Sequence, residues 1–226
     1  MLLGIFTAPS ATFQRLREKP TWLVPLIIVV VATLAVTALS TRYVDWDAQR
    51  EQAVERMGQR GLTAEQQEQQ LAAMEKAFSS PLLRYGAPLV GALITALIGI
   101  FFLVIVYNLA LPLVGASGNF ARMLSVVSWS SLVLVPGAVV RGVLVLLRHS
   151  ANVSTSLLLA APDLKPGLLA VLLARVDLFT IWQLIVTAIG LRVMFDVRSG
   201  KAYGLVFGVW ALLTVVLGLL ASLGGC

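Results

Sequence analysis

Five long apolar blocks punctuate the chain, and one extended polar stretch separates the first block from the other four. The blocks cover residues 22–39, 88–111, 123–147, 168–195 and 203–223. Apolar runs of roughly 18 or more residues read as membrane-crossing helices, because a helix rising about 1.5 Å per residue needs about 20 residues to cross a hydrocarbon core of about 30 Å. Small residues recur in the blocks, among them Gly91, Ala92, Ala96, Gly99, Gly137 and Gly218. They permit close helix contact in lipid, where packing replaces the hydrophobic drive. Pro136 interrupts the third block and predicts a helix kink there. The pattern predicts an all-α fold, a polytopic transmembrane helical bundle of about five spans. No half of the chain is duplicated, so an inverted-repeat transporter is not indicated.

Residues 1–21 read as a basic amphipathic N-terminal segment ahead of a membrane domain over 22–226. Pro9 opens a short helix and Pro20 closes it. Phe13 and Leu16 share one side of it, with Arg15, Arg17 and Lys19 nearby. Such a segment fits an anionic membrane face or an ordinary solvated flank. Ala38-Leu39-Ser40 resembles a signal-cleavage site, but the block before it exceeds the usual signal core of about 7–15 residues and reads as a retained span.

Residues 40–82 form the polar stretch. Trp46, Val54 and Met57 make a sparse apolar stripe that Gly61 ends. Thr63 followed by Gln66 gives a capping-box pattern for a second helix, continued by Leu71, Met74 and Phe78 until Ser79-Ser80-Pro81 stops it. Basic and acidic residues interleave throughout. A polar helical hairpin between the first two spans, outside the bilayer, accounts for this pattern, and so does a solvated, charge-laced loop.

Composition agrees with the membrane reading. Hydrophobic residues make up 58% of the 226-residue chain and charged residues 12%, against about 25% charged in soluble domains, so there is too little polar surface to coat a water-soluble particle. The net charge of +6 comes from basic residues set singly beside apolar blocks. That placement suits anionic lipid headgroups and the positive-inside rule, and it argues against nucleic acid as a partner. Arg15, Arg17 and Lys19, together with Arg192, Arg198 and Lys201, favour a cytoplasmic N-terminus, and an odd number of spans puts the C-terminus outside. The lone cysteine, Cys226, cannot form an internal disulfide, and no Cys/His spacing suits zinc. His149 reads as an interfacial or loop histidine.

Three charges fall within or beside apolar blocks: Arg141, Arg175 and Asp177. Intramembrane ionisable residues are costly and default to functional hypotheses. Arg141 lies about 9 Å before the end of the third block and Asp177 about 14 Å after the start of the fourth, by helical rise. The two can pair across helices. Alternatively, the fourth span begins near Asp177, a short interfacial helix occupies 167–175, and both charges sit at headgroup level. A proton or ion relay is a third reading. Asn108, Ser125, Ser128, Ser130, Ser131, Thr180 and Gln183 need only helix-to-helix hydrogen bonds to explain them. There is no phosphate loop, metalloprotease motif or supported serine–histidine pairing, so no catalytic, cofactor-binding or metal-ligating residue is expected. Asn152-Val153-Ser154 is a glycosylation-type triplet with meaning only in a eukaryotic secretory setting.

Several segments resemble one family. Ile5-Phe6-Thr7-Ala8-Pro9, Thr12-Phe13 and Glu18-Lys19-Pro20-Thr21-Trp22 look like the opening segment of bacterial proteins of the Yip (Ypt/Rab-interacting protein) domain family. Gly115-Ala116-Ser117-Gly118-Asn119-Phe120, Met123-Leu124-Ser125-Val126 and Pro136 resemble their central segment. Asp177, Phe179 and Trp182, followed by Ile189-Gly190-Leu191 and Gly200-Lys201-Ala202, resemble a later one. The order and spacing of these pieces carry the likeness over nearly the whole chain. It implies a five-helix membrane domain with a cytoplasmic N-terminus in a bacterial plasma (inner) membrane. Eukaryotic members are tied to vesicle traffic and small GTPases. The long polar N-terminal region that many of them carry is missing here, which argues against small-GTPase binding. The resulting expectation is a non-enzymatic membrane organiser or scaffold whose partners are the lipid bilayer and unidentified proteins. The alternative is a small transporter or channel-like protein with a polar site near the third and fourth spans.

Overall fold

A chain this apolar must satisfy its backbone hydrogen bonds internally, and a helix does so within a single segment. The computed structural model describes residues 1–59, 63–153, 155–157 and 168–223, and all regular structure among the described residues is helical. Cys226 and Ser154, and Gly61 as a helix terminator, lie outside the described residues. In chain order the helices are α1 (Gly4–Thr7), α2 (Pro9–Glu18), α3 (Leu23–Thr41), α4 (Trp46–Gln59), α5 (Ala64–Ser79), α6 (Ala87–Ala110), α7 (Phe120–Ser131), α8 (Leu134–Arg148), α9 (Leu168–Arg175), α10 (Leu178–Phe195) and α11 (Ser199–Leu223). A π-helical turn, Leu82–Gly86, leads into α6, and a 3₁₀ turn, Leu111–Val114, ends it.

Five segments are long and apolar enough to cross a bilayer: Leu23–Thr41, Leu82–Val114, Phe120–Arg148, Leu178–Phe195 and Ser199–Leu220. The fold is therefore an all-α polytopic bundle. α7 is its centre, with every residue from Met123 to Ser131 buried. α3, α6 and α10 pack around it, and α8 and α11 complete the bundle. The outer sides of α3, α6, α8 and α11 carry exposed residues such as Ile27, Ile98, Val143 and Leu212, as lipid-facing surfaces should.

Two of the apolar blocks are interrupted. The third breaks at Leu132 and Val133, between α7 and α8. Pro136 lies in the first turn of α8, and its ring cannot coexist with a regular helical carbonyl four residues back, at Leu132, so the break falls one turn ahead of the proline. The fourth block divides at Val176 and Asp177 into α9 and α10. Asp177 is extended (φ −140°, ψ 163°) and caps α10, which a mid-helix residue cannot do.

The polar hairpin is present as α4 and α5. Thr63 and Gln66 exchange both hydrogen bonds of the capping box, and an Arg50–Glu75 ion pair ties the two helices. The hairpin meets the bundle chiefly through the π-helical turn, where the Arg84 guanidinium lies 5.0 Å over the Trp46 ring.

The N-terminal segment packs its apolar side onto the bundle. Ile5, Phe13 and Leu16 are fully buried and belong to the same core as α7 and α10. Its apolar side has found a protein surface, α10, against which α2 packs along much of its length.

Candidate functional site

The break ahead of α10 comes from a polar residue where the helix would otherwise continue. Asp177 accepts hydrogen bonds from the backbone N–H groups of Phe179 (2.8 Å) and Thr180 (3.0 Å), and the Thr180 hydroxyl donates to its other oxygen. A carboxylate at a helix N-terminus satisfies orphan donors and favours the positive end of the helix dipole. Asp177 thus meets its charge within its own helix. No ion pair joins it to Arg141, whose exposed side chain has no polar partner among the described residues. The two residues nevertheless line the same recess.

The position of this break along the bundle is unusual. Gly137 of α8 lies against Phe179, so closely that an added β-carbon would fall 2.8 Å from the ring. Eleven residues of α8 continue beyond Gly137, about 16 Å of helix. Thr33 of α3 lines the same recess as Asp177, and eight further residues of α3 follow it, about 12 Å. α10 therefore starts well inside the ends of its neighbours. Its missing length on that side is taken by α9, which packs on α11.

Two cavities meet at this point. The first, about 420 Å³, lies between the C-terminal half of α3 and the N-terminal half of α8 and is lined by Thr37, Ser40, Arg141 and Thr155 among others. The second, about 850 Å³, runs inward between α6, α10 and α11. Thr33, Leu134 and Asp177 line both. Most hydroxyls of the inner cavity are answered at home: Thr33 donates to Val29 O, Thr187 to Gln183 O and Thr214 to Trp210 O, all within 2.9 Å. Gln183 donates to Ser131 Oγ at 3.1 Å and couples α10 to α7. Thr95 and Tyr107 also line this cavity, and neither hydroxyl has a hydrogen bond among the described residues; Tyr107 is 3% exposed.

The other residues of the family-like motif form a dock for the N-terminal segment. Phe6 meets Trp182 edge to face, with centroids 5.7 Å apart. Gly190 admits Phe13 and Val126 where a side chain would collide with both. At the far end of α10, Arg17 makes a two-pronged ion pair with Asp196, and Arg192 donates to Ser10 Oγ at 3.2 Å.

Sequence reasoning missed a second anchor. The Thr21 carbonyl, in the turn between α2 and α3, accepts from both Ser125 Oγ (2.9 Å) and Trp129 Nε1 (2.7 Å) of α7. The i, i+4 spacing of those donors was a readable signal, but their acceptor is a backbone atom more than a hundred residues away. His149 ends α8 with φ 48° and packs edge-on to Tyr43. Among the described residues, no three His, Cys, Asp or Glu side chains gather in a way that would hold a metal.

A family model described as the Yip1 domain matches residues 3–220. The chain is similar to the membrane protein YknW of Bacillus subtilis (strain 168), with 26% identity over 227 aligned residues that cover 99% of this chain and 92% of the relative. No solved structure matches.

Proposed function

This chain belongs to the Yip1 domain family and is an integral, multi-pass membrane protein, and from that premise we propose that it is a non-enzymatic membrane organiser that scaffolds protein partners through its α4–α5 hairpin. The observation that carries this reading is the hairpin's attachment. Two helices of 14 and 16 residues stand apart from the bundle, are tied to each other by Arg50–Glu75 and touch the rest mainly at their base. A module held this way presents nearly all its surface, including the half-exposed Val54, to whatever lies beside the membrane.

The membrane is a bacterial plasma membrane in this reading, and the N-terminal segment faces the cytoplasm. Arg15, Arg17 and Lys19 crowd the eight residues before α3, whereas Arg42 alone is basic in the eight that follow it. The flanks of the first span usually dominate orientation.

Extraction into native lipid discs, followed by mass spectrometry of copurifying proteins, tests the scaffold. A variant with residues 46–79 replaced by a short Gly/Ser linker should lose reproducible partners while the bundle keeps its melting behaviour. Partners retained without the hairpin would refute this role for it.

One observation favours a second reading, a small transporter or channel: the two cavities share Thr33, Leu134 and Asp177. Solute or ion flux in liposomes that is abolished by Asp177→Asn would establish it over the scaffold.

A further inference from the structure

The inner cavity is shaped for a chain-like occupant. Along α6 its lining runs from Ala92 to Tyr107, fifteen residues and so about 22 Å of helical rise. Ala92, Ala96 and Gly99 keep its α6 wall low, and a β-carbon built on Gly99 meets nothing within 4 Å. The lining is mostly apolar, and the volume of about 850 Å³ lies in the range of pockets that hold small ligands.

The cavity also opens sideways. α6 and α11 flank it but scarcely touch each other. Phe102 of α6 and Val216 and Leu217 of α11 line it while remaining 48%, 42% and 41% exposed. These residues form a rim between the cavity and the lipid-facing surface, so hydrocarbon can pass from bilayer to cavity without crossing a polar barrier.

Polar groups mark the two ends. Arg175, exposed at the C-terminus of α9, lines the end near Ala92. Its neighbour Asp177 has its carboxylate engaged by the first turn of α10, and among the described residues no ion pair neutralises the guanidinium. A phosphate or other anion would complete it with paired, charge-assisted hydrogen bonds. Tyr107, with its hydroxyl unpartnered, lines the opposite end. A polar group or water accompanying an occupant would give that hydroxyl a partner.

We propose that this cavity is a specific site for one anionic phospholipid of the leaflet on the hairpin's face, its phosphate held by Arg175 and one acyl chain lying between α6 and α11 toward Tyr107. The lipid would be part of the folded particle and would not exchange freely with the surrounding annulus. This inference stands whether the protein scaffolds or transports, because it concerns what fills the bundle.

Native mass spectrometry of the protein, delipidated in detergent and titrated with phosphatidylglycerol or phosphatidylcholine, tests the site. The expected result is one tightly retained phosphatidylglycerol, bound at least about tenfold better than phosphatidylcholine, which corresponds to about 1.4 kcal/mol. Arg175→Gln should abolish that preference, and Gly99→Leu should remove the retained lipid by filling the cavity. Ile94→Phe, on the half-exposed outer side of α6 and away from the cavity, should change neither. Retention and preference that are the same in Arg175→Gln as in the parent would overturn the proposal, even if Gly99→Leu failed to fold. So would an equal loss in Ile94→Phe, because the lipid would then be annular.

Discussion

Phe13 closes over Gly190, and a β-carbon at that glycine would sit 2.9 Å from the ring's Cζ and 2.7 Å from Val126 Cγ1. The phenylalanine and the valine are both fully buried, so neither can swing aside. Gly190→Ala should therefore destabilise the protein despite alanine's better helix propensity. Overpacking costs typically about 1–3 kcal/mol, and the propensity gain returns at most about 1 kcal/mol. A thermal melt in detergent should show the drop, and Phe13→Leu in the same background should recover part of it. A Gly190→Ala protein that melts at or above the parent temperature would mean that α2 does not rest on α10 as described.

Asp177 separates a capping role from an ion-pairing one. Asparagine caps helices about as well as aspartate, whereas alanine at an N-cap costs about 1 kcal/mol. Asp177→Asn should be nearly neutral in the same melt and Asp177→Ala lower, with Arg141→Gln close to the parent. If Asp177→Asn and Arg141→Gln instead lowered stability by equal amounts, a charge pair would have to form in the bilayer.

The number and positions of the spans were legible in the sequence because lipid imposes one simple demand, a long apolar run. The divided fourth block was legible only in outline. Arg175 and Asp177 flank Val176 and mark the place, but hydropathy averaged along the block does not register a break made by a single carboxylate turning back onto Phe179 and Thr180. The position of that break, opposite Gly137 rather than at the end of α8, is a matter of helix register, which periodicity does not encode. The N-terminal segment shows the same limit from the other side. Phe13, Leu16 and three basic residues describe an amphipathic helix correctly, but a lipid surface and a protein face such as α10 demand the same stripe. The protein face comes from Gly190 and Trp182, more than 170 residues away.

The shared acceptor at Thr21 predicts non-additive mutants. Removing Ser125 Oγ or Trp129 Nε1 alone leaves the carbonyl one donor, so Ser125→Ala should cost about 0.5–1.5 kcal/mol. Trp129→Phe should cost somewhat more, since it also removes part of a buried ring. The double variant leaves the carbonyl without its α7 donors and should exceed the sum of the single effects, as groups in one network do. Strict additivity in a double-mutant cycle would show that the turn is held mainly by other contacts.

Chemical labelling tests the threading of the chain and, with it, the displaced α10. Three spans separate the hairpin from the turn between α10 and α11, namely Leu82–Val114, Phe120–Arg148 and Leu178–Phe195. An odd number puts those two points on opposite faces. With Cys226→Ser as background, Glu68→Cys on α5 and Arg198→Cys before α11 place single thiols at exposed positions. A membrane-impermeant maleimide should label Glu68→Cys in intact cells and Arg198→Cys only after permeabilisation, given a cytoplasmic N-terminus. The reverse pattern would invert the orientation but keep the five spans. Labelling of both in intact cells would be the more consequential result. It would mean that one of the three spans fails to cross, and α10, which begins about 16 Å short of the end of α8, would be the first to re-examine.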